Sequence, residues 1–155
     1  MRPSTVTSRE HKGVMPDKET IKRARRDEKE GKSPSTQAGE FVHEEIRHIR
    51  EGKHGARSTK QAIAIGLSEA RRAGVKLPPP RKGTVSNKTR RQAEREYKKA
   101  QTGEQRPASA KRSRATIRAL KREGQAAASP KALSQQARSA ARRRARTRRS
   151  TAQRG

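Results

Sequence analysis

Apolar side chains are too scarce in this chain to build a core along its whole length, and they are unevenly placed. Leu, Ile, Val and Phe together number sixteen among 155 residues. Nine of them (Phe41, Val42, Ile46, Ile49, Ile63, Ile65, Leu67, Val75 and Leu77) fall between positions 41 and 77. Fixing one residue's backbone costs roughly 1–2 kcal/mol, whereas burial contributes about 25 cal/mol per Å² of apolar surface. By composition such a chain falls in the disordered class, and any fold must be local.

The middle segment is where a packed unit is expected. Ala38, Phe41, Val42, Ile46 and Ile49 form one helical stripe that ends at Glu51-Gly52. Ser58 has N-cap chemistry with Gln61 at capping-box spacing, and the run from Ala62 to Ala73 favours helix. Ile63, Leu67 and Ala70 line one face, and Gly66 permits close approach of a neighbour. Gly74 suits a left-handed C′ position, with Val75 folding back on Ala70 in a Schellman closure before Pro78-Pro79-Pro80 stops the element. The expectation is an all-α, largely disordered chain around a short antiparallel helical hairpin, about 37–51 and 58–73.

The flanks read as polar and marginally helical. Residues 1–32 form a basic N-terminal segment with a helix over 17–30, stopped at Gly31, and 33–83 hold the hairpin core. Residues 84–103 carry a solvated helix from Asn87 to Gln101. Residues 104–155 form an Arg- and Ala-rich tail with helix-compatible stretches from Ser109 to Glu123 and from Ser129-Pro130 to about Arg149. Mutual arginine repulsion and costly nucleation predict that this tail stays disordered until a polyanion neutralises it.

Charge narrows the partner class. Lys and Arg number 42 against 15 Asp and Glu, a net +27. The excess is +4 over residues 1–37, +5 over 38–83, +4 over 84–103 and +14 over 104–155, where thirteen of the basic residues are Arg. Such a balance points to DNA first, RNA second and anionic lipid a distant third. With no cysteine, thiolate metal sites, disulfides and thiol nucleophiles are excluded. No apolar run approaches the ~20 residues of a membrane span, and Met1 to Val6 lack the apolar stretch of a signal peptide, so a cytoplasmic location is expected.

Catalytic signatures do not assemble. In His43-Glu44-Glu45-Ile46-Arg47-His48 the second histidine stands at i+5, about 140° round a helix from the first, where a zincin needs i+4. A solvated face with a local Glu44 to His48 pair is expected instead. Gly52-Lys53-His54-Gly55 lacks the spacing and the ending of a Walker A loop. It is closer to a Gly-x-x-Gly phosphate-binding turn, with free amides at the start of the second helix and Lys53, Arg57 and Lys60 around them. A plain connector accounts for the same residues. No catalytic residue, metal site or cofactor is assigned.

The tail carries the clearest binding chemistry. Arg142, Arg143, Arg144, Arg146, Arg148 and Arg149 place six guanidinium groups within eight residues, each able to fork onto phosphate oxygens. Arg112, Arg114, Arg118, Lys121 and Arg122 form a second group. Ser129-Pro130-Lys131-Ala132 is similar to the Ser-Pro-Lys repeats of linker-histone tails, though a single Ser-Pro at a helix start explains it equally well. Only Phe41 and Tyr97 are aromatic, so no stacking platform for single strands exists.

Three stretches carry a family resemblance: Ser33 to Val42, Ile49 to Leu67, and Arg71-Arg72-Ala73-Gly74-Val75-Lys76-Leu77-Pro78. Over about residues 30–83 the chain resembles a family of small basic bacterial proteins of unknown function, some of whose members are labelled DNA-binding. The resemblance implies a bacterial source and a DNA link, and it brings no catalytic or binding residues with it. The resulting expectation is a non-enzymatic, histone-like or nucleoid-associated DNA-binding protein using sequence-independent phosphate contacts. The alternatives are a protein-interaction or self-assembly module acting through the apolar face of residues 38–77, and an RNA-binding chaperone.

Overall fold

The computed structural model describes residues 16–103 and 110–153, and among these it is all-helical with no strand. Six helices follow in order: α1 (Lys18–Lys29), α2 (Pro34–Arg50), α3 (Thr59–Arg72), α4 (Asn87–Thr102), α5 (Ala110–Lys121) and α6 (Pro130–Ala152). A 3-10 turn, Ala126–Ala128, stands between the last two.

The hairpin forms as α2 against α3, with α2 starting earlier than position 37. Ser33 accepts a hydrogen bond from the Thr36 N–H and Pro34 occupies the first helical position, the same Ser-Pro signal that opens α6. At α3, Ser58 accepts from the Gln61 N–H, while the Gln61 side chain accepts from the Arg57 N–H at 2.7 Å. The box therefore closes one residue further out than the usual reciprocal pair. The exit of α3 is the expected Schellman closure. Gly74 has φ 99°, the Val75 N–H donates to the Ala70 carbonyl at 3.0 Å, and both side chains share one apolar cluster.

The seam between α2 and α3 is rotated from the expected one. Ala62, Gly66, Glu69 and Ala70 are buried on α3, whereas Ile63 and Leu67 are only half-buried. Small residues win the central positions because the backbones approach closely. A Cβ on Gly66 would stand 2.7 Å from the Val42 Cα.

Apolar packing falls into two clusters. One joins Ala24 of α1 to Ala38, Phe41, Ala70 and Val75, with Ile21, Leu67, Ala73 and Leu77 at its edge. Phe41 is its fully buried centre, and burying such a side chain stabilises by about 1.5–3 kcal/mol. Helix α1 is thus part of the packed unit and not a loosely associated polar flank. It is fastened further by a 2.6 Å ion pair from Arg23 to Glu40. The other cluster joins Ile46, Ile49, Ala56 and Ala62 to Ala127 and Ala128 of the 3-10 turn, with Val42 and Leu133 packed against it. Helix α4, capped by Ser86, packs on α3 and buries Ala93.

The C-terminal tail departs most from expectation, because α5 and α6 are helices where disorder is predicted. Ala and Arg are both strong helix formers, Ser129 caps α6 by accepting from the Ala132 N–H, and the α6 arginines are exposed to water that weakens their mutual repulsion. Equally important, the tail's root is tied down. The N–H groups of Gly55 and Ala56 donate to the carbonyls of Leu120 and Gly124 at 2.9 and 3.1 Å. Arg50 Nε and Thr59 Oγ1 donate to the carbonyls of Ala128 and Ala127 at 2.9 and 2.6 Å. These four bonds seat residues 120–128 on the hairpin turn. Ser109, the cap expected for α5, lies outside the described residues.

Candidate nucleic-acid interface and a buried carboxylate–histidine cluster

Helix α6 contains no Asp or Glu, and Arg142, Arg143, Arg144, Arg146, Arg148 and Arg149 are all exposed on it. Among the described residues no carboxylate forms an ion pair with them. Helical geometry sorts them. Arg142, Arg146 and Arg149 share one face with Arg138, at spacings of four, four and three residues, while Arg144 and Arg148 share another. Arg138 lies outside the dense run, and its four-residue spacing to Arg142 is the sequence signal that joins it to this face. Arg112, Arg114, Arg118 and Lys121 are exposed on α5, and Arg122 is exposed just beyond it.

The Gly52–Gly55 turn is built differently from an anion loop. Its amides are not free: Gly52 and Lys53 donate to the carbonyls of Ile49 and His48, and Gly55 and Ala56 to those of Leu120 and Gly124. At the start of α3 the Ser58 hydroxyl accepts from the Gln61 N–H, and the Thr59 hydroxyl donates to the Ala127 carbonyl. Lys53, Arg57 and Lys60 remain exposed around this turn, with Lys53 Nζ 3.3 Å from Glu51. Their side chains can still meet a polyanion, while the amides of Gly52, Lys53, Gly55 and Ala56 are occupied by the protein's own chain.

The most unusual chemistry lies beneath that turn. Glu44, Glu45 and Glu69 are 1%, 0% and 2% exposed, and His54 is buried with them. The solvated face expected for His43 to His48 is therefore real only for His43 and Arg47, which are exposed. The Glu44–His48 pair exists, with Oε1 and Nε2 3.7 Å apart, but it points inward. His48 Nε2 is also 3.7 Å from Asp17 Oδ2, and the Asp17 N–H donates to Glu44 Oε1 at 2.7 Å. The left-handed Gly52, φ 75°, reverses the chain after α2 and brings His54 back beside His48, their ring centroids 6.2 Å apart at 77°. His54 Nε2 then stands 3.6 Å from Glu45 Oε2, and its Nδ1 is 3.1 Å from the Gly55 carbonyl.

Electrostatically this cluster is under-compensated. Both Glu45 oxygens, Glu44 Oε2, Glu69 Oε1 and the Nε2 atoms of His48 and His54 are buried without a hydrogen-bond partner. Each such group costs about 1–3 kcal/mol, more when charged. Burial, reinforced by the fields of Glu45 and Glu44, pushes the Glu69 carboxyl up to about 9. Burial also raises Glu44, against the pull of the Asp17 N–H. Glu45 beside His54 raises the imidazole's pKa despite desolvation, whereas burial and then Lys53 lower that of His48. The pairing is invisible to spacing within α2, since His43 on the same helix is not the histidine that His48 meets. Its partner sits six residues on, across a turn.

Among the described residues no helix is long and apolar enough to cross a membrane. No curated protein and no solved structure matches the chain. Residues 17–82, from Asp17 through α1, the hairpin and the proline-bearing segment after α3, match the family of unknown function DUF6496.

Proposed function

We propose that this is a non-enzymatic, sequence-independent DNA-binding protein of the histone-like or nucleoid-associated kind, acting in the bacterial cytoplasm. The observation that carries the reading is α6: a helix without an acidic residue, exposing six arginines within eight residues. At 1.5 Å per residue its 23 residues extend about 34 Å, comparable with one turn of B-form duplex. Arginines on two of its faces can neutralise phosphates on both sides of a groove, and such contacts position a protein without reading bases. Arg112, Arg114, Arg118, Lys121 and Arg122 extend the basic surface along α5, and Lys53, Arg57 and Lys60 add to it at the hairpin turn. The packed unit of α1 to α4 serves as the platform that holds α5 and α6 by their root.

Self-association through residues 38–77 has less support. Helix α1 and the Ala126–Ala128 turn cover the two apolar clusters of the hairpin, and Val85 is the one large hydrophobic residue exposed among those described. Competition between duplex DNA and a structured RNA of equal charge at fixed salt tests the proposal. Preference for the duplex, with equal affinity for unrelated duplex sequences, supports it. Preference for the RNA transfers the function to RNA binding, and failure to bind either polymer at low salt removes the reading.

A further inference from the structure

We propose that Glu45, His48 and His54 bind one divalent transition-metal ion of the zinc type, with Asp17 and Glu44 beside them. The donor atoms of Glu45, His48 and His54 all lie within 4.8 Å of one another, and so do those of Asp17, Glu44 and His48. Zinc held at about 2.0–2.2 Å by tetrahedral nitrogen and oxygen donors requires those donors to stand about 3.4 Å apart. His54 Nε2 and Glu45 Oε2 are already 3.6 Å apart. The remaining adjustment is on the scale of side-chain rotation.

Acidity alone does not carry this assignment. Both carboxylate oxygens of Glu45 are fully buried and lack any hydrogen-bond donor, and the Nε2 atoms of His48 and His54 are likewise buried and unpartnered. Unmet lone pairs converging from a helix and a turn are what a cation satisfies. A network of protein hydrogen bonds would have left them paired. The sequence logic is equally specific. Glu45-Ile46-Arg47-His48 is a Glu-x-x-His element, which sets a carboxylate and an imidazole on one helical face, as in metal-binding helical bundles. The Gly52 reversal supplies the second imidazole.

Two imidazoles with a carboxylate suit a borderline transition metal, whereas magnesium and calcium prefer oxygen donors throughout. With Glu44, whose Oε1 stands 3.7 Å from His48 Nε2, as the fourth donor, the enclosed site is closed and fits a structural ion better than a catalytic one with an open coordination position. Asp17, half exposed, marks the side from which an ion reaches the cluster. A bound ion would fasten the end of α2 to the hairpin turn on which residues 120–128 are seated.

The test is a calorimetric titration of zinc chloride into chelator-treated full-length protein, with thermal melting alongside. We expect one zinc per chain and a higher melting temperature with zinc than without. Glu45→Gln and His54→Gln should each weaken zinc by at least about a hundredfold, beyond the roughly 10- to 100-fold typical of outer-sphere partners. His43→Gln, at the exposed histidine, should leave the affinity unchanged. Glu45→Gln replaces a buried, unpartnered carboxyl by an amide of the same shape, so its metal-free melting temperature should equal or exceed the parent's, which separates lost binding from lost folding. No saturable one-to-one zinc binding, parent-like affinity in both glutamine variants, loss of binding in His43→Gln, or equally tight magnesium binding would each overturn the proposal.

Discussion

The Gly55 N–H donates to the carbonyl of Leu120 at 2.9 Å, joining the hairpin turn to a residue 65 positions further along the chain. Because the next amide, of Ala56, donates to Gly124, the turn grips the end of α5 in the manner of a short two-bond ladder. A segment that reads as a phosphate loop is thereby the seat of the basic tail.

Replacing Gly55 with Ala should loosen that seat. A Cβ there would collide with the backbone carbonyl of Glu123, which cannot move aside as a flexible side chain could. Overpacking of this kind costs about 1–3 kcal/mol. Thermal melting should show the loss, and amide hydrogen exchange should accelerate through residues 120–128 while α2 and α3 stay protected. Unchanged melting and exchange would mean that the root of the tail is not held at this turn.

Gly66→Ala tests the other close approach. Its Cβ would face the Val42 Cα at 2.7 Å and the Val42 N at 2.9 Å, so α2 and α3 must separate. We expect about 1–3 kcal/mol of destabilisation by denaturant unfolding, with exchange accelerating throughout the hairpin and not only at the tail.

The contribution of Glu69 to the stability of the chelator-treated protein should fall as pH rises from mildly acid to alkaline. Glu69, facing Glu45, Glu44, Asp17 and Arg72, has a folded-state pKa of about 9 against an ordinary value of 4.5. The folded protein therefore keeps a proton that the unfolded chain releases. This contribution is fully present below pH 4.5 and is lost as pH rises toward about 9. Glu69→Gln mimics the protonated form, so its melting temperature should decline less between those limits than the parent's in chelator-treated samples.

How much of this was legible in the sequence depended on whether the determinants were local. The Ser58 cap, the Gly74 and Val75 closure and the close approach at Gly66 are short-range or steric signals, and each appears where its residues indicate. The inward face of Glu44 and Glu45 was not legible, since charged residues are seldom fully buried and nothing adjacent in the sequence announces their partners. His54 and Asp17 reach them only through a chain reversal and the docking of α1. The order of the tail has a related cause. Propensity favours helix there, but the bonds that anchor it come from Arg50, Gly55, Ala56 and Thr59, more than sixty residues away.

The proposed DNA binding by α6 rests on phosphate contacts from Arg142, Arg143, Arg144, Arg146, Arg148 and Arg149. Affinity for a mixed-sequence duplex should be measured against salt for the full chain and for a variant with these six replaced by Gln. Log K should fall linearly with log salt for the parent, at about 0.9 per phosphate neutralised, and the variant's slope should be shallower by up to about five. A variant that binds more weakly at an unchanged slope, or as tightly as the parent, would contradict the account.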